Sequence, residues 1–507
     1  MNTMNTMNTK ITIQVSAVLL AVAASPAPGA PGLQATRHIA AAVAAAAPTQ
    51  AFGLPRLSEP SRVCIECHRK ESPAIYEMWG DSMHFRGNIG CYECHAAEPD
   101  DPDVLDHYEY KISVIVSPKD CARCHSKEVE EFASSRHAKA GRIIGSLDNV
   151  LAEVVEGNSA LKTPASPHGN SAAAITGCWQ CHGSQVKVLP SGKLDAATWP
   201  NTGIGRLNPD GSEGSCSACH FRHTFAAAQA RHPDNCGRCH MGPDHPQMEV
   251  YRESKHGVAF YANEEKMNLD ARKWIIAEDY SASPTCATCH MSATRNQPVS
   301  HDVGLRISWN NRPAVSIRPE LADASMNLPG ADVPWETRRL NMYDVCLNCH
   351  NKQWVDNFFV QYDGLVDLYN KKYGEPGQQL YSLAQPLMNP VQFTNKLDFI
   401  WYEIWHHEGR RARHGASMMG PDYTHWHGMY EVAKHWYSEF VPGLQELIAD
   451  GRASGDPERV KAAEALNSRL EAVLKSDNHK WYLGEMDPAE VRRRRDAAAQ
   501  FERGGGQ

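Results

Sequence analysis

Cys216-Ser217-Ala218-Cys219-His220 is followed, twenty residues on, by Cys236-Gly237-Arg238-Cys239-His240 and then by Met241-Gly242-Pro243-Asp244-His245-Pro246. Two thiols three positions apart can add to the two vinyl groups of one heme, and a histidine directly after the second is placed to bind its iron from one face. Outward from this stretch the same pattern recurs at Cys64/Cys67/His68, Cys91/Cys94/His95, Cys121/Cys124/His125, Cys178/Cys181/His182, Cys286/Cys289/His290 and Cys346/Cys349/His350, eight copies in all. The chain has 16 cysteines, so none is left over. Zinc sites do not require a histidine after every second cysteine, and disulfide scaffolds do not use this spacing. The cysteines therefore read as the attachment points of eight covalent heme c groups, with His68, His95, His125, His182, His220, His240, His290 and His350 as iron ligands.

Composition agrees with a heme-filled interior. Across 507 residues the 42% hydrophobic content is modest, and about 63 residues per heme leave the porphyrins to supply much of the buried apolar volume. Net charge is −8, from 51 basic and 59 acidic side chains, which argues against a nucleic-acid partner and against a polybasic membrane surface. Charged residues at 22%, with 36 glycines and 31 prolines, exclude disorder, collagen and coiled-coil rods as the main architecture.

Heme attachment through reduced thiols implies export, and the N-terminus fits it. Lys10 precedes an apolar run, Ile11 to Ala24, and a second run, Ile39 to Ala47, follows Arg37 and His38. The Met-Asn-Thr repeat of residues 1–9 offers three start positions. Residues 1–51 read as a targeting segment. Neither run reaches the roughly 20 apolar residues of a membrane span, so the expectation is a soluble periplasmic protein with no transmembrane span once mature.

All eight motifs fall within residues 52–350, the expected multiheme domain, while 351–507 contain no cysteine. Successive first cysteines are 27, 30, 57, 38, 20, 50 and 60 residues apart, too irregular for a solenoid but close enough for neighbouring hemes to touch. A serine two residues before a histidine recurs at Ser82/His84, Ser135/His137, Ser166/His168 and Ser254/His256. His168, His256, His414 and His427 are each followed by glycine, which would let a porphyrin approach the backbone. These histidines, with His301, are the candidate distal ligands; a surface histidine is the plainer alternative for any one of them.

The Cys-free region reads as helical. Met429, Val432, Ala433, Trp436 and Phe440, then Leu444, Leu447 and Ile448, follow helical spacing, with Pro442 expected to kink the segment. Asp456-Pro457 opens a second helix with apolar positions Val460, Leu466, Leu470 and Val473, and Asp487-Pro488 opens a third. Arg492 to Arg495 read as a solvated helix end. Strand signals are sparse. The expected fold class is mainly α: a multiheme cytochrome c domain followed by a long-helix C-terminal region.

An array ligated on both faces of every iron only stores and conducts electrons, so catalysis needs an iron with an open face. Gly177-Cys178-Trp179-Gln180-Cys181-His182 and Gly242-Pro243-Asp244-His245-Pro246 are the candidates. An acid beside a histidine could move the protons that accompany oxidation of a small nitrogen substrate. Alternatively, Asp244 caps a helix and His245 is one more distal ligand.

These features resemble the octaheme hydroxylamine oxidoreductase family over roughly residues 60–440. The resemblance rests on the eight motifs, on Asp244-His245-Pro246 leading to Ser254-Lys255-His256-Gly257, and on Trp405-His406-His407-Glu408-Gly409-Arg410-Arg411 through Met418-Met419-Gly420-Pro421-Asp422-Tyr423-Thr424-His425-Trp426-His427-Gly428. The stretch from Trp179 to His256 is also similar in layout to pentaheme nitrite reductases, whose catalytic motif ends in lysine where this chain has His182; that comparison assigns the fourth motif as catalytic. The resemblance implies a homotrimer with seven bis-histidine hemes and a five-coordinate fourth heme, cross-linked to a tyrosine of the neighbouring subunit and thereby biased towards oxidation. Relatives without that tyrosine work reductively. Tyr423 is the choice here, with Tyr430 as the alternative, and Tyr343 is a further distal-pocket candidate.

The implied activity is oxidation of hydroxylamine to nitric oxide or nitrite, with Asp244 and His245 as distal acid and base and a small c-type cytochrome as electron acceptor. Hydrazine oxidation, nitrite or nitric oxide reduction, and a non-catalytic electron carrier are the rival readings. The motif count makes one expectation testable without any assay: the intact mass of the mature chain exceeds that of its polypeptide by eight hemes, and a smaller increment refutes the count.

Overall fold

One helical turn brings positions i, i+3 and i+4 to the same face, which is the geometry a Cys-x-x-Cys-His motif needs to grip one porphyrin. The computed structural model describes residues 56–143, 154 and 160–504. Within them the motifs lie on or beside such turns. The first and third sit inside helices Glu59–Glu71 and Pro118–Ser134, while the second and seventh are the short helices Cys91–His95 and Cys286–His290. The fourth closes on Trp179–His182, and the eighth begins at the end of helix Trp335–Cys346. Caps fix where these turns start. Ser58 accepts from the Ser61 amide, Ser117 forms a reciprocal box with Asp120, and Thr285 accepts from the Thr288 amide.

The fold is mostly helical. Two antiparallel hairpins interrupt it, Leu105–His107 with Tyr110–Ile112 and Ala160–Thr163 with Ser166–Ser171. The expected targeting segment, 1–51, lies outside the described residues. Among the described residues no helix is long and apolar enough to cross a membrane.

The largest apolar core is built almost wholly from residues 369–474. Tyr369, Leu380, Ile404, Trp436, Phe440, Leu444 and Leu466 are fully buried in it. Helix Pro457–Leu474, capped by Asp456, contributes Ala463, Leu466, Leu470 and Val473 from one face. In the motif-bearing part the apolar clusters are small, as in the group of Leu57, Ile65 and Trp79. Arg492 to Arg495 are exposed, and Arg493 and Arg494 pair with Glu490, as suits a solvated helix end.

Wide helical turns shape the segment that reaches the site. Glu403–Glu408, Asp422–Tyr430 and Trp436–Phe440 are π-helical. The last of these directly precedes Pro442, so the widened turn absorbs the proline that the sequence suggested would kink the helix. Gly415 and Gly428 let helix Gly409–Ser417 lie against the segment Asp422–Tyr430. A Cβ on Gly415 would come 2.5 Å from the Thr424 amide nitrogen, and one on Gly428 would come 2.6 Å from the Ala412 Cα. These glycines therefore serve helix contact, where the sequence suggested room for a porphyrin. Arg413, with no exposed surface, fastens the same helix: its Nη1 donates to Ser316 Oγ at 2.8 Å and its guanidinium stacks over Tyr369 at 4.3 Å.

Candidate heme ligands and acid–base site

Six motif histidines face a second histidine ring. The centroid separations are 6.1 Å for His68 and His107, 6.3 Å for His125 and His84, 6.4 Å for His95 and His223, 6.0 Å for His240 and His137, 6.4 Å for His220 and His301, and 6.1 Å for His350 and His256. Metal–imidazole bonds of about 2 Å on opposite sides of one iron put ring centroids roughly 6 Å apart. The donor pairs thus fit a heme iron between them. Burial pushes His137, His220 and His223 down to about 4 and His240 down to about 3, which keeps the rings in the neutral form that binds metal. His95 Nδ1 meets the Ser113 carbonyl at 2.8 Å, the contact that orients a ligating ring and raises its basicity.

The thiols come together between motifs as well as within them. Cys121 and Cys216, Cys181 and Cys239, and Cys236 and Cys286 are near enough to interact, joining the third motif to the fifth, the fourth to the sixth and the sixth to the seventh. Cys64 and Cys91, Cys94 and Cys121, Cys219 and Cys236, and Cys289 and Cys346 lie close enough to feel each other's charge. Every motif is therefore linked to another, with the fourth entering the series at the sixth.

The sixteen cysteines are not alike in their surroundings, although the sequence reads them as one set of attachment points around a heme-filled interior. Cys67, Cys124 and Cys349 are exposed, whereas the other motif thiols are all at least partly covered. The cause is the position of each turn. Cys67 lies on a solvent-facing stretch of helix Glu59–Glu71 among the exposed Glu66, Arg69 and Lys70, and Cys124 lies among the exposed Arg123, Ser126 and Lys127 of helix Pro118–Ser134.

At the junction of the fourth motif with the sixth stands the acid–histidine pair. His245 Nδ1 bonds Asp244 Oδ1, and its Nε2 lies 2.8 Å from the Cys239 carbonyl. His245 is also near enough to Cys181 of the fourth motif for its charge to act on that thiol. Asp244 Oδ2 accepts from Arg410 Nη1 at 3.1 Å and lies 3.8 Å from His406 Nδ1. Burial alone would raise the Asp244 pKa. The hydrogen bond and charge of His245, with His406 and Arg410, overcome it and hold the carboxyl below the usual carboxylate range. Burial would likewise lower His245, but its bond and charge partner Asp244 raises it. The pair is a carboxylate hydrogen-bonded to an imidazole, placed to exchange protons with a neighbouring ligand.

The remaining sequence candidates are dispersed. His168 is exposed on the hairpin strand Ser166–Ser171. His414 is buried near His240 and His245, 3.5 Å from Gln247 Nε2. His427 sits on the surface between Asp422 and Glu431. Tyr343 donates to Asp356 at 2.7 Å and stacks on Phe359, beside the eighth motif and not beside Asp244. Tyr423 is half-buried on the wide segment Asp422–Tyr430, near Glu249 and Glu253; Tyr430, on the same segment, is 52% exposed beside the exposed Trp426. Sequence reading assigns no role to His107, His223, Arg410 or His406. His107 and His223 lack the serine and glycine signals of the others, while Arg410 and His406 stand in the quoted tail run and become visible only when that helix meets Asp244.

The family described as "Seven times multi-haem cytochrome CxxCH" matches residues 209–395. Over those residues the chain is similar to multiheme c-type cytochromes. A relative from Kuenenia stuttgartiensis named "Probable nitrite reductase-hydroxylamine oxidoreductase fusion protein" is 25% identical over 345 residues, covering 58% of this chain and 35% of that protein. The chain thus spans about a third of the length of that relative. A solved "Hypothetical multiheme protein" is 26% identical with a TM-score of 0.66, over 84% of this chain and 100% of that one. A reducing HAO-like protein complex of Kuenenia stuttgartiensis shares the fold at 18% identity and a TM-score of 0.53, over 78% of this chain and 86% of that one. Among multiheme cytochromes, the chain is similar to proteins named as hydroxylamine-oxidoreductase-like.

The ring pairs make a spectroscopic prediction. Replacing His107 or His223 by leucine opens one iron and adds one high-spin ferric signal by electron paramagnetic resonance, whereas His168→Leu leaves the spectrum unchanged. A new high-spin signal from His168→Leu, with none from His107→Leu, would overturn the pairing.

Proposed function

We propose that the chain is an exported, periplasmic octaheme oxidoreductase that oxidises hydroxylamine to nitric oxide or nitrite and passes the electrons through its hemes to a small c-type cytochrome. The observation that carries this reading is the Asp244–His245 pair beside Cys181 of the fourth motif. Residues 52–350 hold the hemes, and 351–507 contribute Arg410, His406, the tyrosine segment and the subunit contacts. His84, His107, His137, His223, His256 and His301 complete six hemes as distal ligands, with His414 in reserve near the sixth.

Bound at Cys178, Cys181 and His182, heme supplies an iron that takes electrons from a coordinated nitrogen compound. The protein's part is the proton. Conversion of hydroxylamine to nitric oxide releases three protons with three electrons, and the Asp244–His245 pair accepts those protons while Arg410 fixes the carboxylate. A nitrite-reducing reading runs the same groups in reverse, as acid donors. It is favoured by the relative's name, which joins both activities.

Two measurements separate the readings. Carbon monoxide binds one ferrous heme of the enzyme, and hydroxylamine reduces the hemes without added reductant. Asp244→Asn then lowers kcat/KM by about 10²- to 10⁴-fold with heme content intact. The same variant removes the carboxylate that favours protonated His245, so the acidic limb of the pH profile moves to lower pH. A chain whose hemes bind no exogenous ligand is an electron carrier. One that hydrazine reduces faster than hydroxylamine is a hydrazine dehydrogenase.

The tyrosine completes the proposal. A Tyr423 bond to the fourth heme of the next subunit joins three chains in a ring, since a heterologous contact closes only about a rotation axis. Denaturing gels then show a trimer that survives boiling and reductant, and Tyr423→Phe releases monomers. Release by Tyr430→Phe alone would move the cross-link to the more exposed tyrosine. A wild type that runs as monomer would remove the cross-link altogether.

A further inference from the structure

We infer that His406, with His407 and Glu403 beyond it, is the proton outlet of the Asp244–His245 pair. The inference rests on the hydroxylamine-oxidising reading of that pair. Three protons per molecule of nitric oxide formed have to leave a site whose acid, Asp244, has a side chain only 18% exposed. Both nitrogens of His245 are engaged, by Asp244 and by the Cys239 carbonyl. Transfer onward therefore goes through Asp244, whose Oδ2 has two neighbours, Arg410 at 3.1 Å and His406 at 3.8 Å. Arginine keeps its protons at any physiological pH. Of the two neighbours, His406 is the one that can pass a proton, across a gap that a single bridging water spans.

His406 is itself only 6% exposed, so it hands the proton on within the protein. Its Nε2 lies 3.3 Å from the Tyr402 hydroxyl, and its ring meets the ring of His407 edge to face at 5.3 Å. His407 Nδ1 is 2.7 Å from Glu403 Oε2, and the Glu403 side chain is 43% exposed. The route thus runs Asp244, His406, His407, Glu403, solvent, with water as the carrier between the two histidine rings, which meet edge to face. The wide turn Glu403–Glu408 brings the three groups together, because it carries both histidines and the carboxylate on one short π-helical stretch. Such turns are frequent at functional sites. Bond changes balance at each step: one N–H or O–H bond breaks as the next forms, no electron moves along the route, and the three electrons leave through the hemes.

The test compares proton and electron timing in the hemoprotein. Stopped-flow mixing with hydroxylamine follows heme reduction by absorbance and proton release by an indicator dye in the same shot. In the wild type the two are synchronous. In His406→Gln, proton release lags heme reduction about tenfold or more and the solvent deuterium effect on turnover grows, while the heme spectra stay unchanged. His407→Gln and Glu403→Gln, nearer the surface, show the same lag to a smaller degree and carry the test if His406→Gln does not fold. Synchronous release with an unaltered isotope effect in the folded variants overturns the outlet while leaving the hydroxylamine reading in place. A wild type whose hemes hydroxylamine does not reduce overturns both.

Discussion

Imidazole pairs held about 6 Å apart, one ring on a motif turn and the other from elsewhere in the chain, are the constraint on which this architecture depends. A motif turn is local and folds on sequence alone. Its partner ring is not: His137 meets His240, and His220 meets His301, across stretches that include other motifs. Each pair therefore acts as a long-range tie in a region whose own apolar clusters are small. The C-terminal region has no motifs and carries the ordinary core instead, with Trp436, Phe440, Leu444 and Leu466 fully buried. The two halves are stabilised by different physics, and the helix Gly409–Ser417 brings the second to the acid–histidine pair of the first.

That division explains what is legible in the sequence. The motifs are unambiguous because their chemistry fixes both spacing and residue type. Spacing says nothing of depth, however, and Cys67 and Cys124 reach the surface on helices whose charged neighbours carry the only hint of it. The serine before a histidine is a usable signal for a structural reason: Ser82 and Ser254 are N-caps, accepting from the Phe85 and Gly257 amides, and each cap sets its histidine in the first turn of a short helix aimed at a motif ring. Ser166 shows the limit of the pattern. Its hydroxyl bonds Asp195 on a strand, and the following His168 is exposed. His107 and His223 escape it because they are presented by a hairpin strand and by the stretch just after the fifth motif, where no capping residue announces them.

Helix periodicity fails in a different way. The apolar spacing of Met429 to Ile448 does indicate helix, but the wide turns at Asp422–Tyr430 and Trp436–Phe440 change which side chains align, and a 3.6-residue reading cannot register that change. The same holds at Glu403–Glu408, whose two adjacent histidines look like a family signature without a role. The first of them, His406, meets Asp244, more than a hundred and fifty residues earlier, and no local pattern encodes that meeting.

The charges around the acid–histidine pair are arranged to be retained, not to cancel. Glu408 is almost fully buried, bonds His435 and lies within reach of Arg411, while Arg413 is buried against Tyr369 and Ser316. Isolated charges in such surroundings would neutralise or cost several kcal/mol each, so they persist only because each is tied by hydrogen bonds to a fixed neighbour. The result is a stiff polar frame on one side of Asp244 and a contiguous series of motifs on the other. Electrons, which tunnel between closely spaced hemes, need only proximity; protons need titratable groups joined by hydrogen bonds or by water. Asp244 stands between the motif series, which offers the first, and the histidine-bearing turn of Glu403–Glu408, which offers side chains for the second.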